Sequence, residues 1–433
     1  MAFRRIARLG LFQFAAGGLS VLFLGVLNRV MRVELGLGLL TVTILVGGGH
    51  YLGALVAIPF GYYSDRHPLG GYRRSIYILL GSLVAIAILI SSPAIVRWIA
   101  ADASVARVSV GFFFFLLEGI STYVAGTAYL SLITDLTEED KRGRVTGWIW
   151  TLLMLGIIAT GILSGFALEP YSIDRVMLLF TIAAIFVILM TLAALFRQEP
   201  KSSDLEFGER ESLSASFSAI ISNPQARWFG AFLFLSMFSY FMQDVLLEPF
   251  GGDVFALSPA ETTRFNAYMG TGVVTAMLVG GMRFIPAKGK PWTTSVGIML
   301  MVVSFVGLAL SSLIGFSHSL PLIILLLGVG AGFFTVGGVA LMMDMTSTVH
   351  TGMFVGAWTL VQAFAKGPTA IVGGALFTGF TSLGFSIGQA YAGVFTLEAV
   401  GLLVSILFLR QVTVEEFKRS LNSFGQVAAE ALN

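Results

Sequence analysis

The sequence predicts an all-α membrane protein of twelve transmembrane helices in two six-helix bundles. Three observations carry this. Hydrophobic residues make up 56% of the 433 and charged residues 12%, about half the charged share of a soluble domain. Twelve apolar runs each approach the roughly 20 residues needed to cross about 30 Å of hydrocarbon. The longest polar stretch, Arg197 to Arg227, falls midway and divides the runs six and six. Membrane β-strands are excluded, because the runs are too long and do not alternate.

The runs lie near residues 9–31, 38–62, 74–96, 106–134, 145–168, 174–196, 227–249, 265–284, 293–315, 320–346, 351–376 and 388–409. The first follows the basic segment MAFRRIAR. It is too long for the apolar part of a signal peptide and lacks a small-residue cleavage site, so it is read as a retained helix. The expected organisation is a bundle over 1–197, a loop over 198–226, a second bundle over 227–410 and a tail over 411–433. With the N-terminus in the cytoplasm, 19 of the 26 Lys and Arg fall at cytoplasmic ends and 6 at the opposite ends, with Lys366 inside a span. That imbalance places both termini, the central loop and the tail in the cytoplasm.

Composition also excludes classes of function. There is no cysteine, hence no disulfide, thiolate metal site or cysteine nucleophile. No phosphate-binding loop, zinc helix or nucleophile elbow appears, and nothing suggests nucleic-acid recognition. The chain is read as a non-enzyme with no catalytic residues and no metal site, whose surroundings are membrane lipid.

The loop between the second and third runs reads GYYSDRHPLGGYRRS, residues 61–75. Gly61 suits a helix end where chains pack closely. Asp65 can accept from an Arg or a helix N-terminus. With Arg66, Gly70 or Gly71 and the pair Arg73 and Arg74, the segment resembles the loop signature of the major facilitator superfamily. It departs by about four extra residues before the basic pair. The resemblance implies the major facilitator fold; the competing reading is a loop that merely obeys the positive-inside rule. Gly156, Gly161 and Gly165 look like a glycine motif of some facilitator antiporters without its proline, and a packing face is the favoured reading.

Ionisable groups inside spans are costly, so each raises a functional hypothesis. The first run ends in LNRVMRVELG and the seventh holds QDVLLEPFGG, at equivalent places in the two halves. Asn28 with Arg32, and Asp244 with Glu248, are four apart and share a helical face. The expectation is that Arg29 or Arg32 meets Asp244 or Glu248 across the cleft and closes that side. Local solvation or an Arg32–Glu34 pair is the alternative. Candidates for binding are Asn28 and, deeper, Glu118, Gln243, Lys366 and Glu398, with Gln362 one turn before Lys366. Glu118 or Glu398 is a candidate proton carrier. His50, in GGGHYLG, is a candidate axial ligand for the magnesium of a chlorophyll, with its glycines expected to leave room for a macrocycle. A histidine hydrogen-bonded between helices is the competing reading.

The segments GLFQFAAGGLSVLFLGVLNRVMRVELG, GYYSDRHPLGGYRRSIYILLG and QDVLLEPFGGDVF resemble the PucC, or bacteriochlorophyll delivery, family. This branch of the major facilitator superfamily occurs in phototrophic bacteria. The resemblance implies a factor for assembly of light-harvesting or photosystem complexes, which handles or delivers chlorophyll or bacteriochlorophyll as bound cargo. It implies a thylakoid, intracytoplasmic or plasma membrane and nascent pigment-binding subunits as partners. It carries no established ligand residue. Two other functions stay open: a proton-coupled transporter of a small solute, and a scaffold for pigment-binding proteins that moves nothing.

Overall fold

A computed structural model describes residues 3–56, 60, 67–137, 142–199, 223–345 and 351–419. The helices are α1 (Arg5–Glu34), α2 (Leu39–Val56), α3 (Ser75–Ala101), α4 (Val105–Leu136), α5 (Arg142–Ala167) and α6 (Ile173–Leu195). They continue with α7 (Pro224–Val245 and Leu247–Phe255), α8 (Pro259–Lys288), α9 (Lys290–Ile314), α10 (Leu320–Asp344), α11 (Thr351–Ser382) and α12 (Ile387–Leu409). Among the described residues, 10 helices are long and apolar enough to cross a membrane, or 11 if bent α7 is one span. The remaining long helix, α11, takes the twelfth place; it carries Gln362 and Lys366.

Local sequence sets the helix starts. Asn223 accepts from the amides of Gln225 and Ala226 ahead of Pro224 at the start of α7. Ser258 with Glu261 and Ser386 with Gln389 form reciprocal capping boxes on α8 and α12. Beyond the caps, burial decides: the cores are made of Leu, Val, Phe and Ala from facing helices.

The packing repeats. In the first half α1 lies against α5 and α6, α3 against α4 and α6, and α2 against α4. Six helices later α7 lies against α11 and α12, α9 against α10 and α12, and α8 against α10. The halves meet where α5 crosses α8 and α2 crosses α11, which the same shift exchanges. Such a pairing map is that of two repeats related by an axis along the membrane normal.

The end where α1 begins is tied by an acid the sequence reading passed over. The Glu199 carboxylate accepts from the amides of Arg73 and Ser75, both at 2.7 Å, and of Arg74 at 2.9 Å. These are the unpaired N–H groups at the start of α3, where a negative charge is favoured. Arg5 donates to Gln198 at 2.9 Å, so α1 joins the same latch. Glu199→Ala is expected to cost about 1 kcal/mol, read as a lower thermal midpoint in detergent. Of the loop signature, Arg73 and Arg74 act here, with Arg74 3.3 Å from Asp135. Gly61, Asp65 and Arg66 lie outside the described residues.

Candidate functional site

The site begins with a broken helix. α7 passes from α-helix to a 3-10 turn at Met242–Val245, then bends by 48° into Leu247–Phe255. Pro249 supplies the cause. A proline lacks an amide hydrogen and its ring clashes with the carbonyl four residues earlier, which here is Val245. That carbonyl needs another donor in a dry interior. Asn28 on α1 provides it, with Nδ2 2.6 Å from the Val245 oxygen. Asn28 is flanked by π-helical stretches at Val21–Leu27 and Val30–Glu34, a distortion that often marks functional sites. The strings ending the first and holding the seventh span are thus two sides of one contact.

The charged groups pair differently from the sequence expectation. Arg32 reaches α7, but its partner is Asp253, at 2.7 Å, with Asp253 also accepting from the Tyr391 hydroxyl at 2.9 Å. The Arg32 guanidinium lies 5.7 Å from the Phe377 ring centroid, so α1, α7, α11 and α12 meet at one point. Arg29 pairs with Glu34 and donates to the Leu257 carbonyl. Burial, then the Glu34 charge, pushes the hydroxyl of neighbouring Tyr171 up to about 12, so it stays neutral. Neither Arg29 nor Arg32 bonds Asp244 or Glu248. The reason is the bend, which carries Asp253 to the arginines and turns the two earlier acids elsewhere. Glu248 accepts from Asn266 of α8 at 2.6 Å, with Thr263 at 3.5 Å. Asp244 accepts from the Tyr51 hydroxyl of α2 at 2.6 Å and from Gln243.

His50 lies beside Tyr51. Its Nδ1 is 2.7 Å from Glu118 on α4, and Glu118 also accepts from Thr122 at 2.8 Å. The rings of Tyr51 and Tyr123 stand 5.3 and 5.4 Å from the imidazole. The glycines do not leave room for a macrocycle. A Cβ on Gly53 would strike the Gly119 backbone, and one on Gly119 would strike the His50 backbone. The glycine face is consumed by the α2–α4 crossing, so His50 fits a hydrogen bond between helices and the macrocycle does not fit beside it. Gly119→Val is expected to separate α2 from α4 and to lower the thermal midpoint, because the atoms it meets are backbone and cannot give way.

Asn28 Oδ1 and Gln243 Oε1 are fully buried with no hydrogen-bond partner among the described residues. So are both carboxyl oxygens of Glu398 on α12. Asp244 and Lys366 are half-buried, and the Lys366 amine stands 3.9 Å from the Phe241 ring centroid. Gly156, Gly161 and Gly165 pack on α1 and α8, as a packing face should. Reading the sequence alone missed Tyr51, Asp253, Asn266 and Tyr391. The clash of Pro249 with Val245 was the available signal for the break.

Away from this cluster, an apolar groove of about 520 Å³ opens between α5, α8 and α10. Trp148, Trp150, Met154, Met277 and Val336 line it.

Comparison with known proteins fixes the fold and the family. Solved structures of a bacterial homologue of the human lysosomal transporter Spinster, inward-facing and unoccupied, and of a peptide-bound POT family transporter match with TM-scores of 0.67 and 0.68. Each is 14% identical; the first covers 96% of both chains, the second 94% of this chain and 96% of its own. At that identity the likeness shows the fold alone, which is the major facilitator fold. Protein PucC of Rhodobacter capsulatus is 29% identical, with 93% of this chain and 91% of that one covered. The bacteriochlorophyll synthase 44.5 kDa chain of Rhodobacter capsulatus is 30% identical, with 85% and 86% covered. The family model described as PUCC protein matches residues 26–417, from just before Asn28 to beyond α12. The chain belongs to the PucC protein family.

Proposed function

We propose that this protein is an assembly factor for light-harvesting or photosystem complexes, and that it handles or delivers chlorophyll or bacteriochlorophyll in a photosynthetic membrane with both termini in the cytoplasm. The observation that supports it most is the family match over residues 26–417. The name of one relative, a bacteriochlorophyll synthase chain, points to the same pigment class. The geometry is compatible. A half-buried polar centre lies between the halves, and the Trp-lined groove beside α5 and α8 offers an apolar berth for a long tail.

Deleting the gene in its native host tests this. The expected result is loss of assembled pigment–protein absorbance while free pigment is still made. Unchanged complexes would count against the reading. A second reading, proton-coupled transport of a small solute, draws on Glu398. A carboxyl buried without a partner can carry a proton as a cleft alternates. It predicts a pH-dependent flux that Glu398→Gln abolishes.

A further inference from the structure

Lys366 sits in α11, the helix that meets both α2 and α7. Its amine faces the Phe241 ring and makes no hydrogen bond or ion pair among the described residues. The acidic group that acts on it is Asp244. The two oxygens of Asp244 are already engaged, one by the Tyr51 hydroxyl and the other by Gln243. One turn earlier on the same face, the Gln362 amide finds among the described residues only the Met342 sulfur as acceptor, at 3.6 Å, a weak one. Both side chains are half-buried, so part of each remains accessible. Among the described residues, the three N–H groups of Lys366 therefore have no hydrogen-bond acceptor and the Gln362 amide has only a weak one. Phe241, with Tyr240 at 4.9 Å, walls the same spot with aromatic surface.

An ammonium inside a membrane protein without a close counter-ion marks a functional site by default. One lysine neutralises one negative charge, and the adjoining rings favour an apolar body. We propose that the Lys366–Gln362 face of α11 binds the carboxylate of an amphiphilic cargo. Applied to the pigment reading, on which this step rests, the cargo at this face is a tetrapyrrole acid not yet esterified with its long-chain alcohol; chlorophyll itself is already an ester and leaves Lys366 unused. The site does not involve His50 and needs no ligand to the magnesium.

The test is a binding titration on the purified full chain in detergent. The probes are pheophorbide a with its methyl ester, and oleic acid with methyl oleate. The wild type is expected to bind an acid at least tenfold more tightly than its ester. Lys366→Met should erase that difference and leave ester affinity unchanged, which shows that the variant is folded; Lys366→Arg should keep it. If oleic acid shows the Lys366 dependence and neither tetrapyrrole binds, the anion site stands and the pigment reading falls. If pheophorbide and its ester bind alike, with no effect of Lys366→Met, the anion site is overturned and pigment handling survives. If no acid binds in a Lys366-dependent way, the proposal is overturned.

Discussion

Replacing Pro249 with alanine is expected to straighten α7 and disable the protein. A proline inside a helix costs about 3 kcal/mol relative to alanine. Its removal therefore favours the straight helix by about a hundredfold. The new amide at position 249 would bond the Val245 carbonyl and displace Asn28, leaving its amide the longer 3.2 Å bond to the Leu24 carbonyl of its own helix. Asp253 would swing away from Arg32, so the contact joining α1, α7, α11 and α12 would open. The chain has no native cysteine, so spin labels at Phe234→Cys and Phe255→Cys report the angle directly. The distance between them should lengthen in Pro249→Ala. An unchanged distance would show that the 48° bend has another cause.

The second large effect concerns Arg32. Arg32→Glu places two carboxylates together where the Arg32 and Asp253 side chains are 17% and 10% exposed. Breaking a buried pair costs about 3 kcal/mol or more, most of it from the charge left behind. Folded yield and assembly of pigment complexes should both fall. Adding Asp253→Arg restores the pair with its sign reversed and should recover most of the loss. Adding Asp244→Arg or Glu248→Arg instead should recover nothing, because neither acid bonds Arg32. Rescue through Asp244 or Glu248, and not through Asp253, would refute the observed pairing.

That contrast marks how far the sequence could be read. Helix positions follow from apolar runs against a fixed bilayer thickness, so α1 to α12 were legible to within a few residues at most ends. Side-chain partners were not. Equal spacing put Asp244 and Glu248 on one face, as it would in a straight helix. Pro249 broke that helix between them, and the break moved Asp253 into their expected place. His50 illustrates a second limit. Glycines in a membrane helix leave space only until another helix fills it, and α4 fills it here through Gly119. Lys366, by contrast, stood out in the sequence as a charge inside a span, and the structure leaves its amine without a hydrogen bond or ion pair among the described residues.

Pigment handling is the central claim, and an absorption spectrum of the protein purified from its pigment-replete native host tests it most directly. The expected spectrum carries tetrapyrrole bands that copurify with the protein. A clean protein spectrum with no tetrapyrrole, from cells rich in pigment, would contradict it.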